Sequence, residues 1–143
     1  MPEGHAYTKR QLENLEIVRT HIGAFSDHDI PKALSVLTED VVDEDLGEPP
    51  KHRKKEIEEE IRGYITNFPD LTWKIANWFA DGDYILYEIY GKGTRGISSK
   101  DGTAGTKVEF FVDSVVHVKD GKIDRMKAYI VPHELFESKS EAF

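Results

Sequence analysis

The sequence has 143 residues, a length that suits one domain with a single hydrophobic core. Its hydrophobic fraction of 38% and its aromatic residues (two Trp, six Tyr and seven Phe) are enough to build that core, so extensive disorder is not expected. The net charge of −8 argues against a nucleic-acid or anionic-membrane partner, and the lack of cysteine excludes disulfides, a thiol nucleophile and a cysteine-based zinc site.

The compartment is predicted from what the sequence lacks. No stretch approaches the roughly 20 apolar residues of a membrane span. The first ten residues, MPEGHAYTKR, have no apolar segment of the kind found in signal peptides. We therefore expect a cytoplasmic protein that works away from the membrane.

The first helix is predicted from a start signal and a periodic apolar face. Thr8 and Gln11 have the spacing of a capping box. Apolar residues then recur every three or four positions, which predicts a helix over about residues 9–25.

Two further helices are predicted, with a short strand between them. Asp29 can cap the second helix, and Pro31 suits its first turn. Residues 40–46 are typical of a strand. Ile57 begins the apolar stripe of the third helix, which should end before Pro69.

The second half of the sequence has the two-residue period of strands. Asp-Gly pairs at 81–82 and 120–121 favour tight hairpin turns, so a four-stranded antiparallel meander is expected, with a long mobile loop over residues 91–106. The last strand has one face with Ile123, Arg125, Lys127 and Tyr129, and another with Asp124, Met126, Ala128 and Ile130. The chain, residues 1–143, is thus predicted to be one α+β domain in which a curved antiparallel sheet packs against three N-terminal helices.

The order of these elements resembles the cone-shaped fold of the nuclear-transport-factor-2-like superfamily, in particular its SnoaL-like branch. The stretches that carry the resemblance are FSDHDIPKALSVLTEDVVDEDLGEPP, FPDLTWKIANWFADGDYILYEIYGKGT and VEFFVDSVVHVKDGKIDRMKAYI. The superfamily contains polyketide cyclases, ketosteroid isomerase, limonene epoxide hydrolase and domains that only bind, so the fold alone does not select a function.

The resemblance implies an apolar cavity between the concave face of the sheet and the first helix. The alternation of apolar and polar residues along the strands agrees with that orientation. The polar members of the cavity would be His21, Asp43, Asp45, Tyr87 and Ser114. Its apolar, substrate-binding members would be Trp73, Ile75, Ile89, Phe110, Val112, Met126, Ala128 and Ile130. Such a wall suits a small apolar ligand.

Asp45 is the candidate general base, because EDLGEPP resembles the acid-Gly-Pro-Pro stretch of ketosteroid isomerase. A desolvated carboxylate can remove a proton next to a carbonyl group. Asp43 lies two positions earlier on the same face, and two carboxylates at that distance raise the pKa of one of them. The alternative is that Asp45 is a turn residue and Asp43 a solvated acid.

His21 occupies roughly the position of the oxyanion-binding tyrosine of the isomerase, and a neutral imidazole can donate a hydrogen bond to an enolate or pair with a carboxylate. Its alternative role is that of a hydrogen-bonded residue at the helix edge. Tyr87 and Ser114 can donate to a ligand carbonyl or satisfy local backbone groups. Ser114 stands where the isomerase has a protonated acid, which argues against true steroid isomerisation.

Other family chemistries and motifs fit less well. The arginine and two aspartates of epoxide hydrolases would fall at Ile89, Gly91 and Ala128, and none matches. The glycines of GKGTRG are not followed by a helix, so no dinucleotide site is expected. The tract KHRKKEIEEE fits a solvated helix face better than an anion site. We expect no cofactor and no metal ion.

Two functions remain open. The first is a cofactor-free isomerase or cyclase that abstracts a proton from an apolar carbonyl compound of polyketide, terpenoid or steroid type, with Asp45 as base and His21 and Tyr87 steadying the enolate. The second is a domain that binds a hydrophobic ligand or a protein partner without catalysis. The resemblance also implies a homodimer formed through the outer face of the sheet.

Overall fold

The computed structural model describes residues 6–45, 48–96 and 104–132. The helices are α1 (Lys9–Ser26), α2 (Ile30–Ser35) and α3 (Arg53–Asn67). The strands are β1 (Leu37–Asp45), β2 (Lys51–His52), β3 (Thr72–Asp81), β4 (Tyr84–Thr94), β5 (Lys107–Lys119) and β6 (Lys122–Pro132). The predicted α+β class is confirmed.

The strands form one curved, unclosed sheet in the order β2-β1-β6-β5-β4-β3. Strands β3 to β6 form the expected antiparallel meander. The sheet is nevertheless mixed, because β1 runs parallel to β6. The helices lie against one face, so that face and the helices enclose the core.

Helix α1 begins where its capping box predicts. Oγ1 of Thr8 accepts a hydrogen bond from the backbone N–H of Gln11 at 3.1 Å, and Oε1 of Gln11 accepts one from the N–H of Thr8 at 2.9 Å. Asp29 caps α2 by accepting from the N–H of Lys32 at 3.2 Å. These two caps fix how α1 and α2 enter the core.

A β-bulge changes the predicted faces of β6. His117 pairs with Arg125 and Val118 with Ile123, so Asp124 is an extra residue in the ladder. Since a bulge reverses side-chain alternation, Ile123 is buried with the core rather than on the outer face with Arg125, as the simple alternation had predicted. Beyond the bulge, Met126 faces the core as expected.

The two hairpin turns differ in detail. Asp120 and Gly121 both have positive φ, 50° and 78°, which is the pattern of a type I′ turn. In the first hairpin Asp81 still pairs with Tyr84, so the turn residues are Gly82 and Asp83 instead of the predicted Asp81 and Gly82.

The long loop predicted from residue 91 is shorter in the structure, because β4 continues to Thr94. Residues 97–103 of that loop and the chain after Pro132 lie outside the described residues. Within the described part of the chain, no helix combines the length and the apolar character needed to cross a membrane.

Candidate active site

A cavity of about 90 Å³ lies between the concave face of the sheet and helices α1 and α3. The sheet contributes Asp43, Asp45, Trp73, Tyr87, Ile89, Val112, Ser114, Met126, Ala128 and Ile130 to its wall. The helices contribute His21, Ile22, Phe25, Ile57, Glu60, Ile61 and Tyr64. The wall is mostly apolar, with the polar groups gathered from β1, β4, β5 and the two helices.

Two residues that were expected in the cavity are not part of its wall. Ile75 lies in a groove between α1 and β3 instead. Phe110 is buried in a second apolar cluster, where its ring packs edge-on against Phe68 with the centroids 5.1 Å apart. Phe110 therefore supports the wall from behind, because its ring also lies 5.8 Å from that of Trp73.

The register of the sheet aligns four inward-facing residues in one row. Asp45 pairs with Ala128, Ala128 with Ser114, and Ser114 with Tyr87. Two strand spacings of about 4.8 Å separate Asp45 from Ser114, with the small Ala128 between them. The row leaves open space over Ala128, flanked by a carboxylate and two hydroxyl groups.

Three carboxyl groups meet at the β1 side of the cavity. Asp43 and Asp45 come from alternate positions of β1, and Glu60 comes from α3, which packs across that strand. Oxygen atoms of the three lie within 4.8 Å of one another. We refer to Asp43, Asp45 and Glu60 as the acid cluster.

Lys51 supplies the positive charge beside the acid cluster. It pairs with Asp43 across β1 and β2, which places its side chain on the same face of the sheet. Its Nζ lies 3.4 Å from Asp45, 3.4 Å from Glu60 and 3.1 Å from Glu48. Burial lowers the pKa of Lys51, but the hydrogen bond to Glu48 and the charges of Glu60 and Asp45 outweigh it, so the pKa rises and the ammonium persists.

The acid cluster holds protons at neutral pH. Burial, followed by the charge of Asp45, raises the pKa of Asp43 to about 7. Burial, followed by the charge of Asp43, raises the pKa of Glu60 to about 9. Like charges in a poorly solvated site disfavour full ionisation, so Asp43 and Glu60 together retain a proton at neutral pH.

Three carboxylates at this spacing are also a donor set that a divalent cation accepts. Here the Lys51 ammonium already lies 3.4 Å from both Asp45 and Glu60. The arrangement is therefore that of a lysine-compensated acid cluster.

His21 is buried on the α1 side of the cavity, with 7% of its surface exposed. Its Nδ1 lies 2.8 Å from the carbonyl oxygen of Ala33, which can only accept, so Nδ1 carries the hydrogen. Burial lowers the pKa of His21, which keeps the ring neutral. Nε2 is then a lone-pair acceptor, whereas donation to an enolate requires an N–H group.

Tyr87 and Ser114 are directly paired on neighbouring strands and hydrogen-bonded to each other. Burial raises the pKa of Tyr87 to about 12, with the carboxylates of Asp43 and Asp45 adding to the rise. The phenol therefore stays protonated at neutral pH and can donate a hydrogen bond into the cavity.

Trp73 forms the far wall of the cavity within a group of aromatic rings. Its ring packs edge-on against Phe25 at 5.6 Å and Tyr64 at 6.4 Å. On its other side the ring lies directly on the backbone of Gly91, where a Cβ atom would come within 2.4 Å of it. The glycine thus allows the indole to lie flat against β4.

Sequence reasoning missed Glu60, Tyr64 and Lys51. The acidic tract EIEEE suggests a solvated helix face, and Glu60 is hidden among exposed glutamates. One signal was present: Glu60 and Tyr64 lie three and seven positions after Ile57, on the same stripe as the buried Ile61. A carboxylate on the apolar stripe of a helix points toward the core.

The comparisons with known proteins agree with this architecture. The SnoaL-like domain family matches residues 18–126, which include β1, α3 and most of the cavity wall. The chain belongs to the SnoaL-like domain family. No curated protein matches its sequence.

Solved structures of the same fold cover nearly the whole chain. An LEH-like epoxide hydrolase from M. tuberculosis is 22% identical, with a TM-score of 0.70, and the match covers 85% of this chain and 84% of that one. A candidate SnoaL-like polyketide cyclase from Jannaschia sp. CCS1 is 14% identical, with a TM-score of 0.79 and coverages of 89% and 91%. IdmH of Streptomyces antibioticus, a candidate polyketide cyclase, is 16% identical, with a TM-score of 0.74 and coverages of 91% and 99%. At these sequence identities the structural similarity shows a shared fold and nothing more.

Proposed function

We propose that this SnoaL-like protein is a cofactor-free enzyme that isomerises or cyclises a carbonyl compound by proton transfer through the acid cluster. The observation that carries the proposal is three carboxyl groups within 4.8 Å of one another on the wall of an apolar cavity. A carboxyl group whose pKa lies near the working pH is an efficient general base. The enzyme names borne by proteins of similar structure, a hydrolase and candidate cyclases, support a catalytic role.

Asp43 is the member of the acid cluster best suited to take the proton. It is 8% exposed, and its raised pKa of about 7 leaves part of the population ionised at neutral pH. The protonated Glu60 and the phenol of Tyr87 are donors for the oxygen that gains charge as the enolate forms. In this assignment Asp45, the base expected from the sequence, forms the ion pair with Lys51.

The size of the cavity limits what reacts inside it. A dry cavity of about 150 Å³ is just large enough for benzene, whereas this one measures about 90 Å³. Only the reacting end of a polyketide- or steroid-sized substrate fits. The rest would extend into the adjoining groove, which shares Asp45, Glu60, Tyr64 and Ile130 with the cavity and continues along Pro49 and Pro50.

Proton exchange on a small ketone tests the proposal. In D2O, the protein should exchange the methyl protons of acetone for deuterium, as followed by proton NMR. Since the base must be ionised, the rate should rise from pH 5 to pH 8 through the raised pKa of Asp43. Asp43→Asn should reduce the rate by roughly 10²- to 10⁴-fold. Asp113→Asn, the same change on the exposed outer face of the sheet, should leave it unaltered.

A binding domain without turnover is the second candidate, and the aromatic packing favours it. Trp73 and Tyr64 of the cavity wall form one group of contacting rings with Phe110 behind them, a packed aromatic wall of the kind that binds an apolar ligand. If the protein exchanges no acetone protons at any pH yet binds a fluorescent apolar dye competitively with larger ketones, this second function replaces the first.

A further inference from the structure

His21 brings to the cavity wall a polar atom that the proposed proton transfer does not use, which is Nε2 of its ring. The ring is 7% exposed and lines the cavity, and Nδ1 is committed to the carbonyl of Ala33. A neutral imidazole with its hydrogen on Nδ1 offers only a lone pair at Nε2.

The chemistry of that lone pair restricts the ligand. A carbonyl or enolate oxygen facing Nε2 would be repelled, because both atoms are acceptors. The ligand group at this position must bring its own hydrogen. The donors already assigned to the ligand carbonyl oxygen are Glu60 of α3 and Tyr87 of β4, whereas the acceptor His21 belongs to α1. The cavity therefore offers hydrogen-bond donors on one side and an acceptor on another.

We propose that the cavity binds a hydroxycarbonyl compound, whose hydroxyl group donates a hydrogen bond to Nε2 of His21. The carbonyl part of this inference rests on the proposed function, whereas the hydroxyl part rests on His21. A two- or three-carbon hydroxycarbonyl group is also of a size that the cavity of about 90 Å³ accepts.

Hydroxyacetone and acetone are matched probes for this proposal, because they differ by one hydroxyl group. In protein labelled with ¹⁵N-histidine, the long-range ¹H–¹⁵N spectrum should show His21 with hydrogen on Nδ1 and none on Nε2. Hydroxyacetone should shift the Nε2 signal, and acetone should not. Hydroxyacetone should bind about tenfold more tightly, as expected for one hydrogen bond of roughly 1.4 kcal/mol.

Two variants separate the acceptor role from a structural one. His21→Gln keeps a donor for Ala33 and an acceptor for the ligand, so it should retain a preference for hydroxyacetone. His21→Leu has neither and should bind the two probes equally. If His21→Leu does not fold, the ¹H–¹⁵N spectrum of the parent protein and its affinities for hydroxyacetone and acetone still test the proposal.

A protonated Nε2 in the free protein, equal affinities for the two probes, or no binding of hydroxyacetone would overturn the proposal. These are binding measurements, so their failure is distinct from failure of the proposed function. The latter would appear as absence of proton exchange on acetone, whatever the state of His21.

Discussion

Asp43 and Glu60 are carboxyl groups whose pKa values are raised by folding, and this links the site to stability. A carboxyl with a raised pKa binds its proton more tightly in the folded chain than in the unfolded chain. The free energy of unfolding therefore falls as the pH rises from about 4 toward the raised pKa, and the loss is complete above it. The acid cluster should thus make the protein less stable at alkaline pH.

Replacing Glu60 by Gln should stabilise the protein at high pH. Gln keeps the shape of protonated Glu60 and cannot ionise, so it removes the penalty described above. One pKa unit corresponds to about 1.4 kcal/mol, and we expect a gain of at least about 1 kcal/mol at pH 8, or roughly 3 °C in Tm. The gain should shrink toward pH 4. Thermal unfolding followed by circular dichroism at several pH values measures it.

The control for that experiment is Glu59→Gln, the neighbouring glutamate that is exposed on the same helix. It should change Tm little at any pH. A Glu60→Gln protein that is less stable than the parent at pH 8 would show that the Glu60 charge is retained and favourable, with Lys51 as its partner.

Gly91 determines the shape of the cavity through Trp73. Gly91→Ala would place a methyl group within 2.4 Å of the indole ring and force it away from β4. Overpacking of this kind destabilises by about 1–3 kcal/mol. We expect a lower midpoint in urea and a change in tryptophan fluorescence.

Gly63→Ala is the matched control for Gly91→Ala. Nothing lies within 4 Å of a Cβ atom at Gly63, which is in the interior of α3. Alanine should stabilise that helix by up to about 1 kcal/mol. Equal effects of the two substitutions would refute the close approach of Trp73 to the strand.

At the scale of elements, the features that could be predicted from sequence are those that depend on residues close together in the chain. The capping box of Thr8 and Gln11 and the Asp-Gly turn at Asp120 identify a helix start and a hairpin within a few residues. The parallel pairing of β1 with β6 and the bulge at Asp124 depend on distant strands, so no local pattern shows them. Glu60 reaches the cavity only because α3 crosses β1, which is again a non-local fact.

The two-residue strand β2 matters for the acid cluster because it holds Lys51 beside Asp45 and Glu60. The ammonium favours ionisation of the neighbouring carboxyls. Lys51→Met should therefore raise the pKa of Asp43 further. Carbon-13 NMR titration of the side-chain carboxyl groups measures this directly.

Lys54→Met is the control for the lysine substitution, because Lys54 pairs with the exposed Glu39 at 3.2 Å, away from the cavity. It should leave the titration of Asp43 unchanged. If Lys51→Met also leaves that titration unchanged, the ammonium does not control the acid cluster.

At the scale of the whole molecule, the outer face of the sheet exposes several large apolar side chains to solvent. Large side chains on β3 to β6 are 39–47% exposed there: Phe79, Tyr84, Leu86, Phe111 and Tyr129. Charged residues such as Glu88 and Asp113 lie among them, and exposed apolar side chains with a polar surround are typical of a protein interface. We propose that two copies of the chain meet through this face, because a self-complementary sheet surface suits a two-fold dimer.

Phe111→Glu tests the dimer. Light scattering after size exclusion should give the parent twice the 16.3 kDa of one chain and the variant a single chain. Leu12→Glu removes an equally exposed apolar residue from α1, which is not on the outer face of the sheet, and should leave the dimer intact. A parent protein that elutes as a monomer at micromolar concentration would exclude this interface.

The parallel pairing of β1 with β6 also has a consequence for how the chain folds. Asp43 and Asp45 pair with Met126 and Ala128, roughly eighty residues later in the chain. Bringing these distant strands together reduces the conformational entropy of the intervening chain before any contact forms. Contacts between residues far apart in sequence therefore slow folding. During synthesis on the ribosome, the aspartates emerge long before their neighbouring strand, so the cavity assembles only after the last strand has been made. A nascent chain that stops before β6 has the Asp43 carboxyl group but not the buried site that raises its pKa.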